Sequence, residues 1–120
     1  MALHNITGSK GEKEAVKYLS ELGYEILATN WKFRKTEIDI IARTKDLIVV
    51  AEVKTRTDNY FENPEDAVNR KKQKHLVKAA DAYIKENNIS WEVRFDIISI
   101  LVKNGKTKID HIKDAFYATL

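Results

Sequence analysis

Two neighbouring strand-like runs in this chain are apolar on both faces, and that constrains the fold more than any other feature. Thr36–Ala42 (TEIDIIA) and Leu47–Arg56 (LIVVAEVKTR) flank a polar Arg43–Asp46 segment, which reads as a β-hairpin. Strand side chains alternate with period two, so Ile41, Ile48 and Val50 share one face. Ile38, Ile40, Val49, Ala51 and Val53 line the other. A sheet that is apolar on both sides has to be covered on both sides, which calls for helices above and below it.

The rest of the chain supplies those layers. Ala15, Val16, Leu19 and Leu22 recur at helical spacing, and Gly23 follows where a helix would stop. Tyr24–Phe33 reads as a first strand ahead of the hairpin. Thr57–Asn63 is polar and reads as a mobile loop, and Pro64 sits where it can open a helix. That helix is expected to run to about Asn87, with Leu76, Val77, Ala80, Tyr83 and Ile84 inward. Val93–Val102 is a fourth strand, and Asn104-Gly105 signals a hairpin into a short fifth. The expected order is αβββαββ, a mixed α/β domain with helices covering the sheet.

The hairpin also carries acids where its faces would otherwise be apolar. A turn centred on Thr44-Lys45 would pair Ile41 with Ile48, Asp39 with Val50 and Glu37 with Glu52. Asp39 and Glu52 then become diagonal neighbours, about 7 Å apart at Cα, close enough to converge on one cation. Two carboxylates with Lys54 beside them are what metal-dependent phosphodiester cleavage needs: oxygen ligands for a divalent ion, and an ammonium to act on the attacking water. The alternative is a sheet end with solvated ion pairs, Lys54 neutralising Glu52 or Glu37. An unrelieved Glu37–Glu52 opposition weighs towards the cation.

Glu12 shares a helical face with Ala15, Val16 and Leu19, so it points towards the sheet. Ser9-Lys10-Gly11-Glu12 is also a capping-box pattern, and on pattern alone capping is the better account of Glu12. Gln73 extends the inner face of the second helix, as a ligand to water or phosphate or as a satisfied residue at the core margin. Arg70, Lys71, Lys72, Lys74 and Lys78 crowd that helix, with Arg56 before it. Such a run is ordinarily a solvated face; beside a metal site it would supply phosphate contacts.

Composition sets bounds. The 120 residues suit one domain of 43% hydrophobic and 32% charged residues, globular rather than disordered. A net charge of +3 is compatible with a polyanionic partner without establishing one. Without cysteine there are no disulfides, thiolate zinc sites or cysteine nucleophiles. No apolar run approaches the roughly 18–20 residues of a membrane span, and no signal-peptide core is present, so a cytoplasmic location is expected. The three histidines lack metal-ligand spacing, and no glycine-rich nucleotide fingerprint or serine-nucleophile elbow occurs.

Several strings together resemble the YraN family, small bacterial proteins described as Holliday-junction-resolvase-like, within the PD-(D/E)xK nuclease superfamily. They are Gly8-Ser-Lys-Gly-Glu12, Glu37-Ile-Asp39-Ile-Ile-Ala, Glu52-Val-Lys54-Thr-Arg56, Ala67-Val68 with Lys72-Gln73, Arg94-Phe95-Asp96, and Ile112-Lys-Asp-Ala-Phe116. The resemblance implies a restriction-endonuclease-like αβββαβ core, a mixed central sheet flanked by helices. It implies a divalent metal, Mg2+ or Mn2+, and catalytic positions at Glu12, Asp39, Glu52 and Lys54. Asp39 and Glu52 would hold the metal with the Val53 carbonyl, Glu12 would bind metal-coordinated water, and Lys54 would orient the attacking water. Arg56, Arg70, Lys71, Lys72, Gln73 and Lys74 are the expected nucleic-acid contacts. Thr36 stands where the family usually has glycine, and Phe61-Glu62 replaces its phenylalanine-glycine. The expected activity is that of a DNA endonuclease, and cutting two symmetric strands would favour a homodimer. A binding module that cuts nothing and an interaction protein with a structural ion-pair cluster are the alternatives.

Overall fold

The computed structural model describes residues 3–57 and 68–117, side chains before Lys10 excepted. The order is α1 (Leu3–Glu21), β1 (Glu25–Phe33), β2 (Thr36–Thr44), β3 (Leu47–Thr57), α2 (Arg70–Glu86), β4 (Glu92–Lys103) and β5 (Lys106–Phe116). The five strands form one mixed sheet in the order β1-β2-β3-β4-β5. Only β3 and β4 run parallel; the other neighbours are antiparallel. The α2 segment makes the crossover that a parallel pair requires. This is the expected α/β layering, consistent with a restriction-endonuclease-like core. No helix among the described residues is long and apolar enough to cross a membrane.

Each sheet face has its own core. Ala15 and Leu19 of α1 pack on Ile40, Ala42, Ala51, Ile98 and Ile100. Leu76, Ala79, Ala80 and Tyr83 of α2 pack on Ile38, Ile41, Ile48, Val50, Phe95 and Ile97. Ile38, Ile40 and Ile41 are completely buried. Each such side chain contributes roughly 1.5–3 kcal/mol. That anchors β2 firmly enough to hold a strained electrostatic arrangement at Asp39.

The α1 helix lies unusually close to β3. A glycine inside a helix costs roughly 0.5–1 kcal/mol relative to alanine, but a Cβ at Gly11 would overlap Thr55 Oγ1. The helix ends as a Schellman motif at Gly23 (φ 95°), with Tyr24 N–H donating to Leu19 O and Gly23 N–H to Ser20 O, both at 3.0 Å. Leu22, expected inward, falls at this exit and is 55% exposed. Because α1 begins at Leu3, Ser9–Glu12 lies within the helix, and the capping role for Glu12 is wrong.

Other expectations need correction. The helix expected from Pro64 instead starts at Arg70, after a buried bend at Val68, with Asn69 as N-cap accepting from Lys72 N–H at 2.9 Å. Pro64, Phe61-Glu62 and most of the expected Thr57–Asn63 loop lie outside the described residues. The fifth strand is not short, at 11 residues. Thr36 opens β2 opposite Phe33, and the left-handed turn residue is Arg34 (φ 58°), so no glycine is needed at 36.

The hairpin register is displaced by two residues. The turn is Lys45-Asp46, with Lys45 at φ 54°, and Ile41 pairs with Val50, not Ile48. Alternation also slips in β2, since Ile38 packs in the same cluster as Ile41. The slip falls at Asp39–Ile40, level with Asn30 of β1, which is itself left-handed at φ 51°.

Candidate metal centre

The β2–β3 ladder runs from Thr44–Leu47 to Ile40–Ala51 and stops. The next step sets Asp39 level with Glu52, in place of the expected Glu37–Glu52 opposition. There the Val53 N–H donates to Asp39 Oδ2 at 2.8 Å, a side-chain bond where a ladder bond would be expected. The two acids therefore meet at the point where the strands part, and both helix layers can reach them.

From one layer α1 delivers Glu12. Single carboxylate oxygens of Glu12, Glu37 and Asp39 lie within 4.8 Å of one another. Glu37 thus joins Asp39 and Glu12 rather than Glu52. Burial raises the Glu12 carboxyl above its ordinary value, a hydrogen bond with the Asn30 side chain opposes this, and Asp39 and Glu37 add to it by repulsion. Asn30 was missed in the sequence. Its signal was an asparagine inside a strand, a residue depleted there but tolerant of the left-handed conformation.

From the other layer α2 delivers Lys72, whose Nζ lies 3.2 Å from Glu52 Oε2. Of the expected phosphate contacts, Lys72 is placed against Glu52 rather than towards solvent or backbone. Arg70, Lys71 and Lys74 are exposed, Gln73 donates through Nε2 to Val68 O at 3.0 Å, and Arg56 is half-buried on β3. Glu52 is neutralised by Lys72 from across the site, where the alternative to a metal had assigned Lys54. Spacing could have shown this, because Lys72 precedes Leu76, Ala79 and Tyr83 by four, seven and eleven residues.

The electrostatics are unfavourable as they stand. Burial, then the contact and charge of Glu52, push Asp39 up to about 8, against the Val53 N–H and Lys72. Burial and Lys72 lower the Lys54 ammonium, with Glu52 opposing. Burial works against charged Lys72 as well, but Glu52, Lys54 and Asp39 outweigh it, so its pKa is raised. Glu52 is only 5% exposed, and its Oε2 is buried without a hydrogen bond, the Lys72 ammonium lying near but out of alignment. A buried carboxylate oxygen with an unused lone pair beside a second crowded carboxylate is unfavourable unless a cation completes it. The donors are hard oxygens with neither cysteine nor histidine, a set that suits Mg2+ or Mn2+ rather than zinc or copper.

The family model described as "Uncharacterised protein family UPF0102" matches residues 11–100. That span takes in Glu12, Asp39, Glu52 and Lys54. A UPF0102 protein of Parabacteroides distasonis is 49% identical over 98% of this chain and 98% of its own length. Its counterpart from Bacteroides thetaiotaomicron is also 49% identical, covering 100% of this chain and 99% of its own. One from Christiangramia forsetii matches at 49% over 98% of both.

Proposed function

The chain belongs to UPF0102, which is the YraN family, and from the site its residues build we propose that it is a metal-dependent phosphodiester hydrolase of the endonuclease type. The proposed substrate is DNA, branched or distorted structures included. One observation carries this: the half-buried carboxylate of Asp39 and the buried one of Glu52 meet with an oxygen left unsatisfied where β2 and β3 part. Bare carboxylates so placed destabilise the fold, and they have chemical use as ligands to a cation.

Asp39 and Glu52 would hold Mg2+ or Mn2+, with the Val53 carbonyl as a third donor. When bound, the ion would polarise the phosphate and acidify a water. Asp39 is fixed for this by its bond from Val53 N–H. Glu12, half-buried and braced by Asn30, would accept from a metal-bound water. Lys54, with its lowered pKa, would orient the attacking water and then stabilise negative charge developing on the phosphoryl oxygens. Arg70 and Lys71 sit in the first turn of α2, where cations oppose the helix dipole at a cost of about 0.3–1 kcal/mol each. That concentration of positive charge suits an approaching phosphate backbone, and Arg56 and Lys74 would extend it.

The Lys72–Glu52 pair gives some weight to a second reading, a nucleic-acid-binding module that cuts nothing. The two are separated by a cleavage screen over duplex, flap, single-stranded and four-way DNA, with Mg2+, Mn2+ or chelator. The nuclease reading expects metal-dependent, chelator-sensitive nicking of at least one structured substrate. Binding without cleavage under every condition would favour the module.

A further inference from the structure

The sequence assigns Lys72 to the phosphate-binding face, and the structure turns it away. Its neighbours Arg70, Lys71 and Lys74 are exposed, whereas Lys72 is 39% exposed and reaches Glu52 at 3.2 Å. It also contacts Lys54, so two ammoniums face the Asp39–Glu52 pair. A divalent ion held between Asp39 and Glu52 needs the Glu52 oxygen that the Lys72 ammonium lies against at 3.2 Å, so a cation has to leave.

Lys54 and Lys72 differ in their ability to do so. Lys54 lies on β3, two residues from Glu52, within a strand paired along its length to β4. Lys72 reaches in from α2, and it is the lysine whose ammonium occupies the Glu52 oxygen, at 3.2 Å. Its backbone is pinned, because Lys72 N–H donates to Asn69 Oδ1 at the helix cap, so the side chain can swing while the helix stays. Its hold on Glu52 is an ion pair at 3.2 Å, out of good hydrogen-bond alignment with Oε2.

Resting on the metal-site reading above, we propose that Lys72 is a built-in counter-cation that holds the Asp39–Glu52 pair together until a divalent metal displaces it. Metal uptake is then an exchange of one cation for another.

The test is a calorimetric Mn2+ titration of the whole chain at pH 8.5, above the value at which protons compete strongly for Asp39. Lys72→Met is expected to bind Mn2+ about tenfold tighter than wild type, the scale of removing one partly buried competing charge. Lys71→Met, an exposed change of the same charge, should stay within about twofold and so measures the long-range contribution. Without metal, Lys72→Met should melt below wild type, and saturating Mn2+ should raise its melting temperature by more than it raises that of wild type. If Lys72→Met does not fold without metal, Lys72→Gln takes its place with the same expected tightening. Unchanged or weaker Mn2+ binding in these variants, with wild type still binding, would overturn the exchange and leave the metal site standing. If wild type takes up no Mn2+ and Asp39→Asn alters nothing, the site and the exchange fall together.

Discussion

Among the described residues two clusters of buried charge are built from similar groups and left in opposite states. Asp96 is completely buried, and its carboxylate is saturated. Arg94 donates to both oxygens at 2.8 Å, His111 Nε2 lies 2.7 Å from Oδ2, and Asp114 N–H donates to Oδ1 at 3.0 Å. Arg94 goes on to Tyr24, and His111 to Tyr18. Burial alone would raise the Asp96 carboxyl, but hydrogen bonds from His111, Arg94 and Asp114 hold it below its ordinary value. At the parting of β2 and β3, Asp39 accepts one backbone bond, Glu52 Oε2 accepts none, and Asp39 is pushed up to about 8. A carboxylate that serves the fold is surrounded by donors. One left short of donors keeps its lone pairs for something else.

That contrast breaks most visibly at Asp96. Asp96→Asn leaves the half-buried Arg94 against an amide and the buried site without its charge, and should destabilise the fold by about 3–5 kcal/mol in denaturant melts. A loss near zero would mean that saturation does not mark structure here. The converse holds at the other cluster, where Lys54→Met should leave stability and metal affinity nearly unchanged. It should lower the single-turnover cleavage rate by about 10²-fold on whichever substrate the screen identifies. Near-wild-type turnover would remove Lys54 from the chemistry.

The pH dependence sharpens the comparison, because the two acids act with opposite sign. Asp39 is raised from 3.8 to about 8, so between those values the native state keeps a proton that the unfolded chain has lost. Metal-free stability from this group therefore falls as pH rises from about 4 to about 8. Asp96 is lowered, so its contribution is present above 3.8 and is lost as pH falls below that. Asp39→Asn should flatten the upper slope and melt at or above wild type at pH 8, as thermal melts across the range will show. The smallest expected effect is on binding. Removing the charges of Arg70, Lys71 and Lys74 should reduce the log–log salt slope of DNA affinity by about 0.9 for each phosphate no longer neutralised. An unchanged slope would return that helix face to plain solvation.

Much of this was legible in the residues. The doubly apolar hairpin required two covering layers, and α1 and α2 supply them. The acids, with Lys54, fell together because a two-residue error in register preserves the strand's alternation. The turn was misplaced because a lysine took the left-handed position that Asn-Gly usually marks. Glu37 lost its expected partner for the same reason, since the displaced register sets Asp39, not Glu37, level with Glu52. Along the sequence Lys72 is one charge among many, although its spacing to Leu76 and Tyr83 points it inward. The Asp96 network, with partners drawn from α1, the turn before β1, β4 and β5, had no local signature; only the Arg94-Phe95-Asp96 string hinted at it.

The central claim is that Asp39 and Glu52 are held short of donors so that they can take a divalent cation. Titration of Mn2+ into wild type and Asp39→Asn, followed by calorimetry in two buffers of different ionisation enthalpy, tests it most directly. Wild type should bind one ion with release of a proton at pH 7, because the metal displaces the proton Asp39 keeps there. Asp39→Asn should neither bind nor release, while melting at or above wild type. Wild-type-like binding by Asp39→Asn, or a clear loss of stability in that variant with no metal uptake by wild type, would show that these carboxylates serve the fold, as Asp96 does.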